Sequence, residues 1–409
     1  MIKAITLIFI ALYPVMPDYF RIFGLPSGAV LASAFVLLSF LNINNLFIIK
    51  KRDASVALAV TILLCTPYVV HREYTTAIKN FIEYALVFLM LGKYFKKREQ
   101  IDQSLKIIIT VASITCFFGL FEFVTGKSLF TPFYSGVSTD LSPTLQMRGA
   151  FSRSEASFGH AITYAIYLGM CALLDSMYII KTNRLKYKVI YILLVVTLFT
   201  TMSRAPIILF VFCQLIVLYL FGFKKLISTV IKVVAGLMIV GGVIFVMAPS
   251  LFSNFQYMIN VVLAIFSEGA ASQVGDIQNA NPFDYRLKLL EIIPQYIKGS
   301  LLFGHGISLS LNFSILGHTY VSIDNGYLVW LFRYGIVGFF GNSLLFVYYI
   351  KLCLKNIKLH DEFKAFFAIG IFYLLNLFSV AQMAEYKIWI LMFALAYNLS
   401  HIYMGLKVR

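Results

Sequence analysis

Apolar residues fill long continuous blocks of this chain, separated by short polar connections. Blocks without a polar face predict helices surrounded by lipid or by one another, not amphipathic helices laid on a soluble core. At about 1.5 Å per residue, about twenty residues are needed to cross a hydrocarbon layer of about 30 Å. About twelve segments meet or approach that length: 3–16, 25–48, 55–70, 77–92, 105–124, 156–180, 188–202, 206–222, 226–248, 326–352, 364–383 and 387–405. The first, third and seventh are short and must draw on flanking residues. The expected fold class is all-α, a polytopic integral membrane protein of about 12 transmembrane helices, with 1–409 as a single membrane domain. The stretch Ile5 to Val15 follows one lysine and ends at Pro17 without a small-residue cleavage site, so it reads as a retained helix rather than a signal peptide.

Charge orients these spans. One set of connections carries Lys50-Lys51-Arg52, Lys93 with Lys96-Lys97-Arg98, Lys181 through Lys188, Lys224-Lys225, Lys351 through Lys364, and Lys407 with Arg409. With Lys3 they hold about twenty of the 34 basic residues, and the positive-inside rule makes that side cytoplasmic, both termini included. Two long loops lie on the other side, 125–155 and the larger 249–325, and the second holds a short helix opening at Asn281-Pro282, with Pro294 expected to kink its far end. The segment 251–267 reads as interfacial; as a thirteenth span it would invert everything after it and put Lys351–Lys364 outside.

Composition removes the soluble classes. The chain is 60% hydrophobic and 13% charged, about half the charge of a soluble domain. A net charge of +16 would suggest nucleic acid in a soluble protein; here it serves topology, and no nucleic-acid partner is expected. The five cysteines lie in or beside apolar runs with no CxxC pair, so buried thiols are expected rather than disulfides or zinc ligands. His160, His305 and His318 lack metal-ligand spacing, and no GxSxG elbow is present. Gly126-Lys127-Ser128 fails as a phosphate loop, because Gly119 precedes it by six intervening residues instead of four. Neither a cofactor nor a metal is expected.

The candidate chemistry is on the outside face. Arg148, Arg153, Arg204, Arg286 and Arg333 collect there against the positive-inside trend. Arginine is the residue whose planar fork grips phosphate oxygens at several points. Snorkelling, or pairing with Asp140, Glu155, Asp284 and Glu291, is the plainer alternative. Arg204 sits in the one-turn connection Thr201-Met202-Ser203-Arg204-Ala205-Pro206, at the depth of a lipid-linked phosphate. Arg333 lies about 10 Å into its span, where an ionisable group is a functional candidate or else a tie to a helix-end carbonyl. Asp324 and Asn325 stand where that span begins, as capping residues or as site residues. Gly335, Gly338 and Gly341 follow at every third position, which permits close helix approach.

Three of these places resemble the bacterial O-antigen polymerase and O-antigen ligase superfamily. Asp324-Asn325, nine residues, then Gly335-Ile336-Val337-Gly338 resembles the family's His-Asn, nine residues, Gly-x-x-Gly pattern. Arg286 followed by Leu301-Leu302-Phe303-Gly304-His305-Gly306 resembles the arginine and P-L-F-G-x-G element before it. Ser203-Arg204 resembles the Ser-Arg pair that opens a span near mid-chain. Arg148 and Gly159, separated by ten residues, match an arginine–glycine spacing of polymerase periplasmic loops, whereas Arg286 is followed at that spacing by Ile297 and the glycine is Gly299.

The resemblance implies an inner-membrane glycosyltransferase acting at the periplasmic face, with undecaprenyl-pyrophosphate-linked oligosaccharide as donor and acceptor. It also implies contact with membrane lipid and a separate chain-length-determining protein as partner. Because Asp324 stands where ligases have histidine, a polysaccharide repeat-unit polymerase is favoured over a ligase. Arg204, Arg286 and Asp324 are then expected as catalytic residues, with Arg148, Arg153, Glu155, His305, Asn325 and Arg333 binding substrate. Asp324, Glu155 or His305 is available to take the acceptor proton. The rivals are an O-antigen ligase and, from another class, a lipid-linked oligosaccharide flippase, against which the scarcity of charge in the span middles argues.

Overall fold

A computed structural model describes residues 2–17, 19–41, 65–134, 145–148, 151–229, 231, 282–306, 313–315, 318–320, 323–380 and 385–407. The principal helices are α1 (Ile2–Leu12), α2 (Ser27–Leu41), α3 (Tyr74–Tyr94), α4 (Arg98–Thr125), α5 (Ala161–Thr182), α6 (Leu185–Thr200), α7 (Arg204–Phe221), α8 (Pro282–Ile297), α9 (Gly326–Asn356), α10 (Glu362–Asn376) and α11 (Glu385–Lys407). Strand is confined, among the described residues, to three antiparallel hairpins: Arg21–Ile22 with Leu25–Pro26, Met147–Arg148 with Phe151–Ser152, and Phe313–Ile315 with His318–Tyr320. Helices α3, α4, α5, α7 and α9 are each long and apolar enough to cross a membrane, and α1 and α2 are shorter apolar helices. The chain is an all-α, multi-pass membrane protein, as its apolar blocks predict.

Helix α5 is the hub, packing against α4, α6, α7 and α10 and buried along nearly its whole length. In lipid the hydrophobic effect does not favour one apolar neighbour over another, so cohesion comes from close packing and buried polar contacts. The cluster where α9, α10 and α11 meet supplies much of it: Phe346 lies 4.1 Å from Trp389 by ring centroid, and Tyr349, Tyr373 and Phe393 close around them.

Polar contacts gather at the two ends of the bundle. At one end Glu362 Oε1 accepts from Arg98 at 2.7 Å and Lys181 at 3.0 Å, and Tyr178 donates to Asp102 at 2.6 Å. At the other, Lys387 Nζ donates to the Met16 carbonyl at 3.2 Å, Ser157 Oγ to that of Val15 at 2.7 Å, and Gly326 N–H to that of Leu377 at 2.7 Å. The starts of α5, α7, α9 and α11 share this second end, the order that the twelve-span reading assigns to the outside. The segment 251–267 lies outside the described residues.

Two expectations are sharpened. Charge is scarce in the span middles but not absent: Glu83 is buried midway along α3, inside a π-helical turn (Phe81–Leu86), and Asp175 is buried within α5. A lone acid in an apolar run scarcely lowers its average hydropathy, so such positions are easily passed over. Of the cysteines, Cys116, Cys171, Cys213 and Cys353 are buried and Cys65 only half-buried, all as free thiols. Helix α8 does open at Pro282, and Pro294 lies inside it.

Candidate active site

The site-bearing end is organised by a residue the sequence reading passed over. Glu122 is the only acid between Asp102 and Thr125, one turn before α4 ends in a left-handed Gly126. Fully buried, its Oε1 accepts from Ser128 Oγ at 2.5 Å, and its Oε2 from the N–H groups of Glu155 and Ala156 at 2.8 and 2.6 Å. Three donors on one carboxylate fix the turn at 155–156, where Ala156 is held at a φ of 45° that L side chains rarely adopt.

Arg153, two residues before Glu155, ties the same loop to the α6–α7 turn. Its Nε donates to the Thr201 carbonyl at 2.9 Å, one terminal nitrogen to Ser203 Oγ at 3.0 Å, and the other to Gln146 Oε1 at 2.7 Å. Ser203 precedes α7 but makes no side-chain cap, its hydroxyl being engaged with Arg153 and the Thr201 carbonyl. Next to it Arg204 is the first residue of α7, half-buried at the bundle end. Arg153, read from sequence as a substrate ligand, thus spends its fork on protein acceptors beside Arg204.

Glu155 itself is buried but lines a small, half-open cleft together with Tyr19, Ser128, Thr131, Tyr134 and Gly159. Burial pushes its carboxyl up to about 7; the Gln146 N–H and Arg153 pull the other way, and the Glu122 charge adds to the rise. His160 accepts the Ile162 N–H on Nδ1 as the cap of α5. Burial and then the Arg153 charge push its imidazole down to about 4, which keeps the ring neutral.

The start of α9 forms a second cluster at this end. Asn325 is buried and accepts the N–H groups of Tyr327 and Leu328 at 3.0 and 3.1 Å, so it caps the helix; Asp324 beside it is exposed. After nine intervening residues α9 breaks at Gly335, whose φ of 64° and ψ of −165° are not helical. The segment 301–306 fills the break. Ile336 and Val337 donate to Leu301 and Leu302, while His305 and Gly306 donate back to the freed carbonyls of Phe332 and Arg333, all at 2.9–3.1 Å. This satisfies the backbone groups that a helix break would otherwise orphan at membrane depth. The two glycine-containing motifs quoted from sequence are therefore one structure, with Gly304 and Gly335 backbone to backbone.

His305 is used in the same junction: Nε2 lies 2.8 Å from the Tyr296 carbonyl and the ring packs on Phe332. Arg333 is half-buried, in electrostatic reach of Tyr68 and Tyr334. Helix α8 docks Leu289, Ile293 and Ile297 onto Leu328, Val329 and Phe332, so the backbone of Arg286 is carried on a helix seated against α9. Arg148 lies in the short hairpin beside Phe151. The side chains of Arg286 and Arg148 are outside the described set. The α1–α2 connection ties the segment before α5 to the start of α11, since Val15 takes Ser157, Met16 takes Lys387, and Tyr13 lies under the Lys387 ammonium.

Residues 189–342 match the family model described as O-Antigen ligase. The segment belongs to the O-antigen ligase and polymerase superfamily. It covers a little over a third of the chain, from α6 through the Arg204 turn and the α8–α9 junction to Asn342 beyond the break. Arg204, Arg286, His305, Asp324, Asn325 and Arg333 fall inside it, whereas Arg148, Arg153 and Glu155 precede it. Comparison with curated proteins gives no match. An O-antigen ligase- or polymerase-type activity in a multi-pass membrane protein follows, that is, glycosyl transfer in polysaccharide assembly. Within this matched segment and its flank, sequence reasoning singled out the arginines. It passed over Glu122, Tyr19 and Lys387, of which Glu122 and Lys387 carried a signal as lone charges beside or inside apolar runs.

Proposed function

We propose that the chain is a polysaccharide repeat-unit polymerase of the bacterial inner membrane, working at the periplasmic face with both termini cytoplasmic. It transfers a growing glycan from undecaprenyl pyrophosphate to a hydroxyl of another lipid-linked repeat unit. The donor carries its own leaving group, so the protein supplies charge stabilisation for the departing pyrophosphate and alignment of the acceptor. Arg204 and Arg286 serve the pyrophosphate, with Arg148 and Arg333 as further cationic contacts. Arg153 holds the Arg204 turn, Asn325 and His305 hold the start and the break of α9, and Asp324 stands exposed at the mouth. A chain-length-determining protein acts as partner.

The observation that carries the reading is the gathering of Arg204, the clamped loop before α5 and the start of α9 at one end of the bundle; the resemblance adds that an acid, Asp324, stands where ligases have histidine. The description of the matched family favours a second reading, an O-antigen ligase that moves finished chains to lipid A–core. The glycan profile of a deletion strain separates them. Loss of a polymerase leaves a single repeat unit on the core and no ladder. Loss of a ligase leaves long chains on undecaprenyl and none on the core.

A further inference from the structure

The cleft beside Glu155 has a use that the arginines do not account for. Its wall is built from three directions: Tyr19 from the α1–α2 connection, Ser128, Thr131 and Tyr134 from the loop after α4, and Glu155 with Gly159 from the segment before α5. The rings of Tyr19 and Tyr134 lie 5.7 Å apart, tilted by 36°. Glu155 is only 4% exposed, yet it faces this opening. One carboxylate oxygen, Oε1, takes the Gln146 N–H at 3.4 Å; the other, Oε2, has no hydrogen-bond partner among the described residues. Nearby Glu122 is the opposite case, with both oxygens consumed by Ser128 and by the N–H groups of Glu155 and Ala156. One acid is thus spent on holding the wall, and the other lines the cleft with one oxygen uncommitted among the described residues.

A carboxylate acceptor, small hydroxyls and aromatic rings are the groups that recognise a sugar, with its ring of O–H donors and its C–H faces. The location suits an acceptor. Glu155 is two residues from Arg153, whose fork reaches Ser203 Oγ at 3.0 Å, one residue before Arg204. We propose that this cleft seats the acceptor sugar and that Glu155 Oε2 takes the proton of the attacking hydroxyl. The inference rests on the transferase reading above and names the acceptor site within it.

The acceptor O–H bond breaks and its oxygen forms the new bond to the donor's anomeric carbon. The bond from that carbon to the pyrophosphate oxygen breaks, and its electron pair leaves with the lipid pyrophosphate. The proton stays on Glu155 until the product departs. The groups facing this carboxylate are Glu122 from α4, Tyr19 from the α1–α2 connection, Arg153 from its own segment, and Ser128 and Tyr134 from the preceding loop. Exposed Asp324 lacks such an enclosure.

The test uses the full chain in nanodiscs with the host's own lipid-linked repeat unit. Wild type is expected to turn over faster as pH rises through about 7 and then to level. Glu155→Gln should lower kcat by about a hundredfold and lose that limb, because general-base contributions are of that order. Glu155→Asp should keep the limb at a displaced pH, and Tyr134→Ala should raise the acceptor KM more than it lowers kcat. A Glu155→Gln enzyme with wild-type kcat and an unmoved limb overturns the proposal; should that variant not fold, an unmoved limb in Glu155→Asp does so. If wild type makes no polymer, the transferase reading is what fails. The cleft is then tested alone by saturation-transfer NMR with the repeat-unit oligosaccharide released from its lipid. Contact in wild type that is lost in Tyr134→Ala supports the sugar site, and equal contact in both, or none in wild type, overturns it.

Discussion

Arg153 and Ser203 are fifty residues apart in sequence and 3.0 Å apart in space, guanidinium nitrogen to hydroxyl oxygen. The bond sets the loop before α5 against the turn that presents Arg204, and two further bonds from the same guanidinium lock it there. A lysine has one compact ammonium in place of the planar fork and cannot reach Thr201, Ser203 and Gln146 together. Arg153→Lys should therefore cost about 2–3 kcal/mol of stability, the scale of losing hydrogen bonds to a buried charge. Thermal unfolding in detergent measures this, and the glycan ladder should shorten because Arg204 is no longer held.

Gly335 and Gly304 must both be glycine, for two reasons each. Both have positive φ, 64° and 68°, where a side chain is strained. A Cβ on Gly335 would also stand 2.5 Å from Gly304 N, and one on Gly304 2.5 Å from the Arg333 carbonyl carbon. Either alanine variant is expected to lose about 2–4 kcal/mol, combining strain with a backbone clash. Gly299→Ala, whose Cβ meets nothing within 4 Å, is the tolerated control. Yield of monodisperse protein in fluorescence-detected chromatography distinguishes them.

The layout of helices was legible because it depends on block length and loop charge, both local properties of the chain. The Ser203-Arg204 turn, the capping role open to Asn325 and the opening of α8 at Pro282 were legible for the same reason. What was not legible is pairing across distance. The spacing Gly335, Gly338, Gly341 was read as close helix approach, and only the arrival of Leu301–Gly306 shows that Gly335 is a break in the helix. Glu122 meets residues 155–156 over more than thirty positions of chain, and nothing near Glu122 in sequence names that partner. Arg153 looked like its fellow arginines until its acceptors were found to be protein atoms.

The ion-pair cluster at the far end of the bundle offers a control for fold without chemistry. Glu362 accepts from both Arg98 and Lys181, but Arg98 is 54% exposed, so solvent screens much of that attraction. Glu362→Gln should lower stability by about 1 kcal/mol and leave the glycan ladder unchanged, since Arg204 and Glu155 lie at the opposite end. Arg98→Ala added to Glu362→Gln should cost less than the sum of the two single changes, the mark of a shared interaction. A ladder lost in Glu362→Gln at retained stability would assign this end a part in the reaction.

Glu155 and His160 load the same short segment with opposite pH dependences. Glu155 is raised from 4.5 to about 7, so the folded protein holds that proton more tightly than the unfolded chain does. Its contribution is full below about 4.5 and is lost as pH rises through about 7. His160 is lowered from 6.5 to about 4, so folding favours the neutral ring; that contribution is full above 6.5 and is lost as pH falls toward 4. Between about 4.5 and 6.5 the two oppose each other, and wild-type stability should be nearly flat in their combined effect. Glu155→Gln removes one arm, and its Tm relative to wild type should fall on acidification across that window. His160→Asn preserves a capping acceptor for Ile162 N–H while removing the other arm, and its relative Tm should fall as pH rises across the same window. Every other titrating group is common to the three proteins, so the differences between their curves report these two side chains. Curves that run parallel for all three would show that neither group changes its proton affinity on folding.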